Sequence, residues 1–103
     1  MPQKKLSLDL SDEQLQIVRN ILHEIVPNYP VWAFGSRIKG AAKKFSDLDL
    51  VIITTEPLGL GIHADLTEAF SESDLPFKVD VVDWAVTSEA FQKIIAEHKL
   101  VIQ

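Results

Sequence analysis

The chain has 103 residues, 47% hydrophobic and 24% charged, with fifteen acids against ten bases and a formal net charge of -5. That length suits one compact domain with a real core, and only nine glycines and prolines argue against a disordered or fibrous chain. No apolar run nears the roughly 20 residues of a membrane helix, the absence of cysteine excludes disulfides, thiol catalysis and cysteine-ligated zinc, and the acidic balance lacks the positive field of general nucleic-acid binding.

The first ten residues, MPQKKLSLDL, hold only scattered leucines and no apolar leader segment, so a cytoplasmic protein with no membrane contact is expected. Ser11-Asp12-Glu13-Gln14 has the capping-box pattern, and Leu15, Val18, Leu22 and Ile25 then recur at helical spacing. A helix is predicted from Asp12 to Val26, ended by Pro27. Val31–Phe34 is a short apolar strand that runs into Gly35. Gly35–Phe45, which carries Arg37, Lys39, Lys43 and Lys44, suits a tight turn and a short helix.

Asp47–Thr54 (DLDLVIIT) is the clearest strand, apolar without interruption after its acids, as a strand covered on both faces should be. A Pro/Gly loop over Thr55–Gly61 leads to a helix over Ile62–Glu72. A third strand is predicted over Phe77–Trp84 (FKVDVVDW). Thr87 or Ser88 then caps a last helix that buries Phe91, Ile94 and Ile95. The alternation predicts an α/β (α+β) fold, a small sheet layered with helices. Only eleven residues lie between Phe34 and Ser46. A parallel crossover needs about a dozen or more, so the first two strands should be antiparallel neighbours, with Gly35-Ser36 beside Asp47–Asp49.

Asp47 and Asp49 are two apart on a strand, so their carboxylates share a face. Like charges that close repel unless a cation lies between them, and hard oxygen ligands of this kind suit magnesium with substrate phosphate. On its own, Asp-x-Asp is equally a solvated strand end. Gly35-Ser36 adds a place where backbone N–H groups and a hydroxyl can face a phosphate. A phosphate cradle beside paired carboxylates is what metal-dependent nucleotidyl transfer requires. Two other glycine patterns fail. Gly35–Gly40 has P-loop spacing, but Ala41-Ala42 stand where Lys and Ser/Thr belong; Gly59–Ala64 has dinucleotide-fingerprint spacing but is set off from its strand. It reads as a flexible loop. His23, His63 and His98 lie too far apart for paired ligation and read as surface residues, while Trp32 and Trp84 read as core.

Gly35-Ser36, ten residues, then Asp47-Leu48-Asp49 resembles the signature of the DNA polymerase β-like nucleotidyltransferase superfamily. More narrowly, FGSRIKGAAKKFSDLDLVI is similar to the minimal nucleotidyltransferases of bacteria and archaea, over essentially the whole chain. The resemblance implies a single minimal nucleotidyltransferase domain over residues 1–103. It also implies a third carboxylate on the next strand, between apolar neighbours. Asp80 and Asp83 are available and face opposite sides. Asp80, inside Val79-Asp80-Val81-Val82, is the expected ligand; Asp83, at the strand end, can be solvated or cap a turn.

The expected site thus holds magnesium, as two ions, on Asp47, Asp49 and Asp80, with ATP as substrate. Asp80 serves as general base or nucleophile-side ligand, Gly35 and Ser36 hold the β/γ-phosphates, and Arg37 assists at the triphosphate. By resemblance, the acceptor is a tyrosine of a HEPN-type partner encoded nearby, this chain being the antitoxin of a hetero-oligomer. Two alternatives stand beside this: a non-catalytic module that masks the partner, and one subunit of a two-chain enzyme that modifies a small molecule such as an aminoglycoside.

Overall fold

The computed structural model describes residues 8–40 and 42–103. Residues 1–7, where no apolar leader is expected, and Ala41, one of the two alanines at the P-loop positions, lie outside the described residues. Helix α1 spans Asp12–Ile25. Its capping box is complete: Gln14 N donates to Ser11 Oγ at 3.1 Å and Ser11 N to Gln14 Oε1 at 3.0 Å, satisfying two N–H groups that helix geometry leaves open. Strand β1 (Val31–Phe34) leads into a 3-10 turn over Ser36–Ile38. Strand β2 (Leu48–Ile52) follows, then helix α2 (Leu60–Ser71) and strand β3 (Val79–Asp83). A second 3-10 turn over Trp84–Val86, helix α3 (Glu89–Glu97) and strand β4 (Leu100–Val101) complete the chain.

Among the described residues the sheet has the order β3-β2-β1-β4. The expected antiparallel pairing of β1 with β2 is present, with Phe34 opposite Asp49. β2 and β3 are parallel, with α2 in the crossover and Asp49 opposite Asp80. β4, absent from the sequence reading, pairs antiparallel with the other edge of β1.

The central strands are dry: Val31, Ala33, Leu48, Leu50, Val51 and Ile52 are fully buried. The alternation of strand side chains sets Leu48, Leu50 and Ile52 on one face and Asp49 and Val51 on the other. Trp32 and Phe34, on the Asp49 face, meet Trp84 and Phe91 edge-on at 5.3 and 5.7 Å between ring centroids. The second 3-10 turn and α3 therefore cover that face. α1 and α2 pack against each other with Val18, Leu22, Leu66 and Phe70 buried, on the opposite face. No described helix is long and apolar enough to cross a membrane.

Several boundaries differ from expectation. Asp47 stands one residue before β2 rather than in it. Gly59 and Gly61 open α2 instead of lying in a free loop. Phe91 and Ile94 remain exposed, and only Ile95 of the predicted trio is buried. The short α3 presents one narrow stripe to the sheet, so Ile94 faces out. Both tryptophans are half-buried, and Lys99 Nζ lies 4.4 Å from the Trp32 ring centroid.

Candidate active site

The site is built where β1 ends and β2 begins. Gly35 leaves the strand at φ 84 and ψ -158, a conformation that strains any residue with a side chain. It also lies directly against Asp49: a Cβ on Gly35 would overlap the Asp49 Oδ2 atom. Glycine is required here twice over. Ile38 N then donates to Gly35 O and Lys39 N to Ser36 O, each at 3.2 Å, so the 3-10 turn closes behind Ser36. The N–H groups of Ser36 and Arg37 are left at its open end. Among the described residues Ser36 Oγ makes no hydrogen bond.

The acids converge from two strands. Asp49 is half-buried, and Asp80 is its cross-strand neighbour. Asp47, exposed, precedes them by one turn of the pleat. Burial, then the charges of Asp80 and Asp47, push the Asp49 carboxyl up to about 6. Asp49 thus senses both other carboxylates, and a cation among them would relieve the repulsion. Lys78, two residues earlier on the same side of the chain, reaches Asp80 Oδ1 at 3.2 Å. The side chains of this pair are 73% and 41% exposed, so it adds little to stability. Among the described residues no three carboxylate or imidazole groups are gathered tightly enough to chelate an ion as the side chains stand. The backbone register nevertheless sets Asp49 and Asp80 side by side. Their hard oxygens and surplus negative charge fit a divalent cation.

Asp83 is elsewhere. It is buried, accepts from Thr54 Oγ1, from Leu58 N at 2.7 Å and from Ala85 N at 3.3 Å, and so caps the turn after β3. These bonds tie the end of β3 to the loop before α2.

Arg37 does not point at the site as expected. It is 5% exposed, and its guanidinium is spent on backbone carbonyls: Nε donates to Ser46 O at 2.9 Å, Nη1 to Asp9 O at 2.9 Å, and Nη2 to Lys44 O at 3.0 Å and Lys43 O at 3.4 Å. Spacing in the sequence carries no signal for this burial. Lys78 was also missed, although its place two residues before Asp80 could have shown it. The three histidines are exposed, and His63 Nε2 lies 3.1 Å from Val81 O.

Comparison with known proteins shows the family and the fold. The family model "Polymerase beta, Nucleotidyltransferase" matches residues 18–103. The chain is 59% identical over 96 residues to the "Probable protein adenylyltransferase MntA" of Haemophilus influenzae, covering 93% of this chain and 84% of that one. Its fold is similar to a crystal structure of a toxin-antitoxin with AMP-PNP (TM-score 0.74, 20% identity, 86% of this chain and 72% of that one). It is also similar to a structure of the tri-AMPylated Shewanella oneidensis HEPN toxin in complex with MNT antitoxin (TM-score 0.65, 19% identity, 86% of this chain and 68% of that one). With a family model spanning most of its length and a relative this similar, the chain belongs to the polymerase beta nucleotidyltransferase family.

Proposed function

We propose that this protein transfers AMP from ATP to a tyrosine hydroxyl of a HEPN-type partner encoded nearby, and so acts as its antitoxin. The observation that carries the reading is the register of Asp49 against Asp80, with Gly35 pressed on Asp49. The similarity to a protein adenylyltransferase favours a protein acceptor over a small molecule.

Asp47, Asp49 and Asp80 would hold magnesium, which supplies charge neutralisation at the α-phosphate and the departing pyrophosphate. The open N–H groups of the turn and Ser36 Oγ hold the β/γ-phosphate oxygens and fix the nucleotide in line with the acceptor. Asp80, on the edge strand β3, takes the proton from the acceptor hydroxyl. That oxygen forms a bond to the α-phosphorus as the bond from phosphorus to the pyrophosphate oxygen breaks.

Labelled ATP tests this reading. With label at the α-position, the partner should become labelled on tyrosine while pyrophosphate is released; with label at the γ-position, it should stay unlabelled. Label arriving from the γ-position would make the chain a kinase and contradict the reading.

A further inference from the structure

Arg37 touches the loop that leads to Asp47 and the approach to the strand that bears Asp80. It follows Ser36 directly in the chain. Through Ser46 O it holds the residue before Asp47, and through Lys43 O and Lys44 O it holds the loop leading there. Its guanidinium carbon lies 3.9 Å from the centroid of the Phe77 ring, at the entry to the strand that bears Asp80. Asp9 adds a further tie: its N donates to Arg37 O at 2.6 Å, and its O accepts from Arg37 Nη1 at 2.9 Å.

The loop needs such a hold. Lys39, Lys43 and Lys44 are exposed like charges, and among the described residues the loop's own ties after the 3-10 turn are Ser46 N to Lys43 O at 3.1 Å and Lys43 N to Ser46 Oγ at 2.8 Å. A buried cation is costly unless its donors are satisfied. Here carbonyl oxygens and an aromatic face take that role. Only a planar fork reaches carbonyls in several directions at once; a lysine ammonium, a point with three donors, does not.

We infer that Arg37 is a positioning residue for adenylyl transfer: its guanidinium clamps the loop between Ser36 and Asp47 onto Phe77 and so fixes the phosphate-facing turn relative to the acidic pair. This rests on the transfer reading above. The clamp acts on geometry and not on nucleotide charge, so its loss should slow turnover more than it weakens ATP binding.

The test compares wild type, Arg37→Lys, Arg37→Met and Phe77→Leu, using transfer kinetics on the partner and amide hydrogen exchange. Both Arg37 variants should lose about 30-fold or more in kcat, with KM for ATP changed less than about threefold, and Lys should rescue no better than Met. Exchange should rise about tenfold or more over residues 42–47, with α1 unchanged. If the Arg37 variants do not fold, Phe77→Leu, which keeps the cation and its bonds, should still show a smaller loss of kcat and a looser loop. Wild-type kcat in Arg37→Lys, or a raised KM with kcat unchanged, would overturn the inference; the latter would mean direct contact with the triphosphate. Wild type that transfers nothing removes the reaction itself and is thereby distinguished from a failed clamp, which leaves wild-type transfer intact.

Discussion

Asp49 sits where three demands meet: it must be close to Gly35, beside Asp80 and near Asp47. Its carboxyl, raised from 3.8 to about 6 by burial and the two neighbouring acids, binds a proton more tightly in the folded protein than in the unfolded chain. The metal-free fold therefore keeps this contribution fully below pH 3.8 and loses it as pH rises through about 6. Asn at this position removes the repulsion and the pH dependence together. We expect Asp49→Asn to be more stable than wild type at pH 7 by about 1 kcal/mol, after discounting for the solvent screening of a half-exposed group. Denaturant midpoints at pH 4 and pH 7 check this, and the gap should narrow at the lower pH. Protonation of the same carboxyl opposes cation binding in acid, so affinity for Mg-ATP should fall by about tenfold per pH unit once pH drops below about 6, as read by calorimetry. The two acids of β3 separate cleanly. Asp80→Ala should abolish transfer with little change in stability. Asp83→Ala strips a buried acceptor from Thr54, Leu58 and Ala85 and should cost about 1–3 kcal/mol, while the folded fraction still transfers. The nearness of Gly35 to Asp49 was legible from loop length along the chain, and Asp80 was legible through the family resemblance and its apolar neighbours. Arg37 was not, because its role depends on which carbonyls the fold brings around it.

The strand pair that carries the site was readable from loop length alone. Eleven residues cannot make a parallel crossover, and β1 and β2 are antiparallel with Phe34 opposite Asp49. The capping box of α1 was equally plain, since Ser and Gln at that spacing satisfy helix donors by local bonds. β4 was invisible for the opposite reason: two residues, Leu100–Val101, show no period. Its support is tertiary. Ile102 N donates to Val31 O at 2.8 Å, Val31 N to Gln103 O at 3.0 Å, and the Ile102 side chain is buried. These bonds brace the edge of the strand that ends at Gly35. Ile102→Ala should therefore cost about 2–4 kcal/mol in urea denaturation, with Mg-ATP affinity unchanged in the protein that stays folded. The exposure of Phe91 and Ile94 on α3 was also beyond the sequence, because a helical stripe shows which residues are apolar but not how wide a face its neighbours cover.

At the scale of the whole molecule, the negative charge of the chain and the lysine loop beside its acidic site together describe a protein that handles a nucleotide locally without a broad basic surface. The sheet sets Asp49 and Asp80 side by side at one end of β2 and β3, while the helices fill the space behind. In the proposed function a HEPN-type partner presents the acceptor hydroxyl and supplies proximity; the spacing of these residues does not itself identify that partner. The proposed transfer of AMP by the paired carboxylates beside Gly35-Ser36 can be read by intact-mass spectrometry of a HEPN-type protein encoded beside this chain, after incubation with the chain, ATP and magnesium. A mass increase of one or more adenylyl groups is expected, absent with Asp47→Asn combined with Asp49→Asn. A tight complex that binds nucleotide yet leaves the partner's mass unchanged would contradict the proposal and mean masking without transfer.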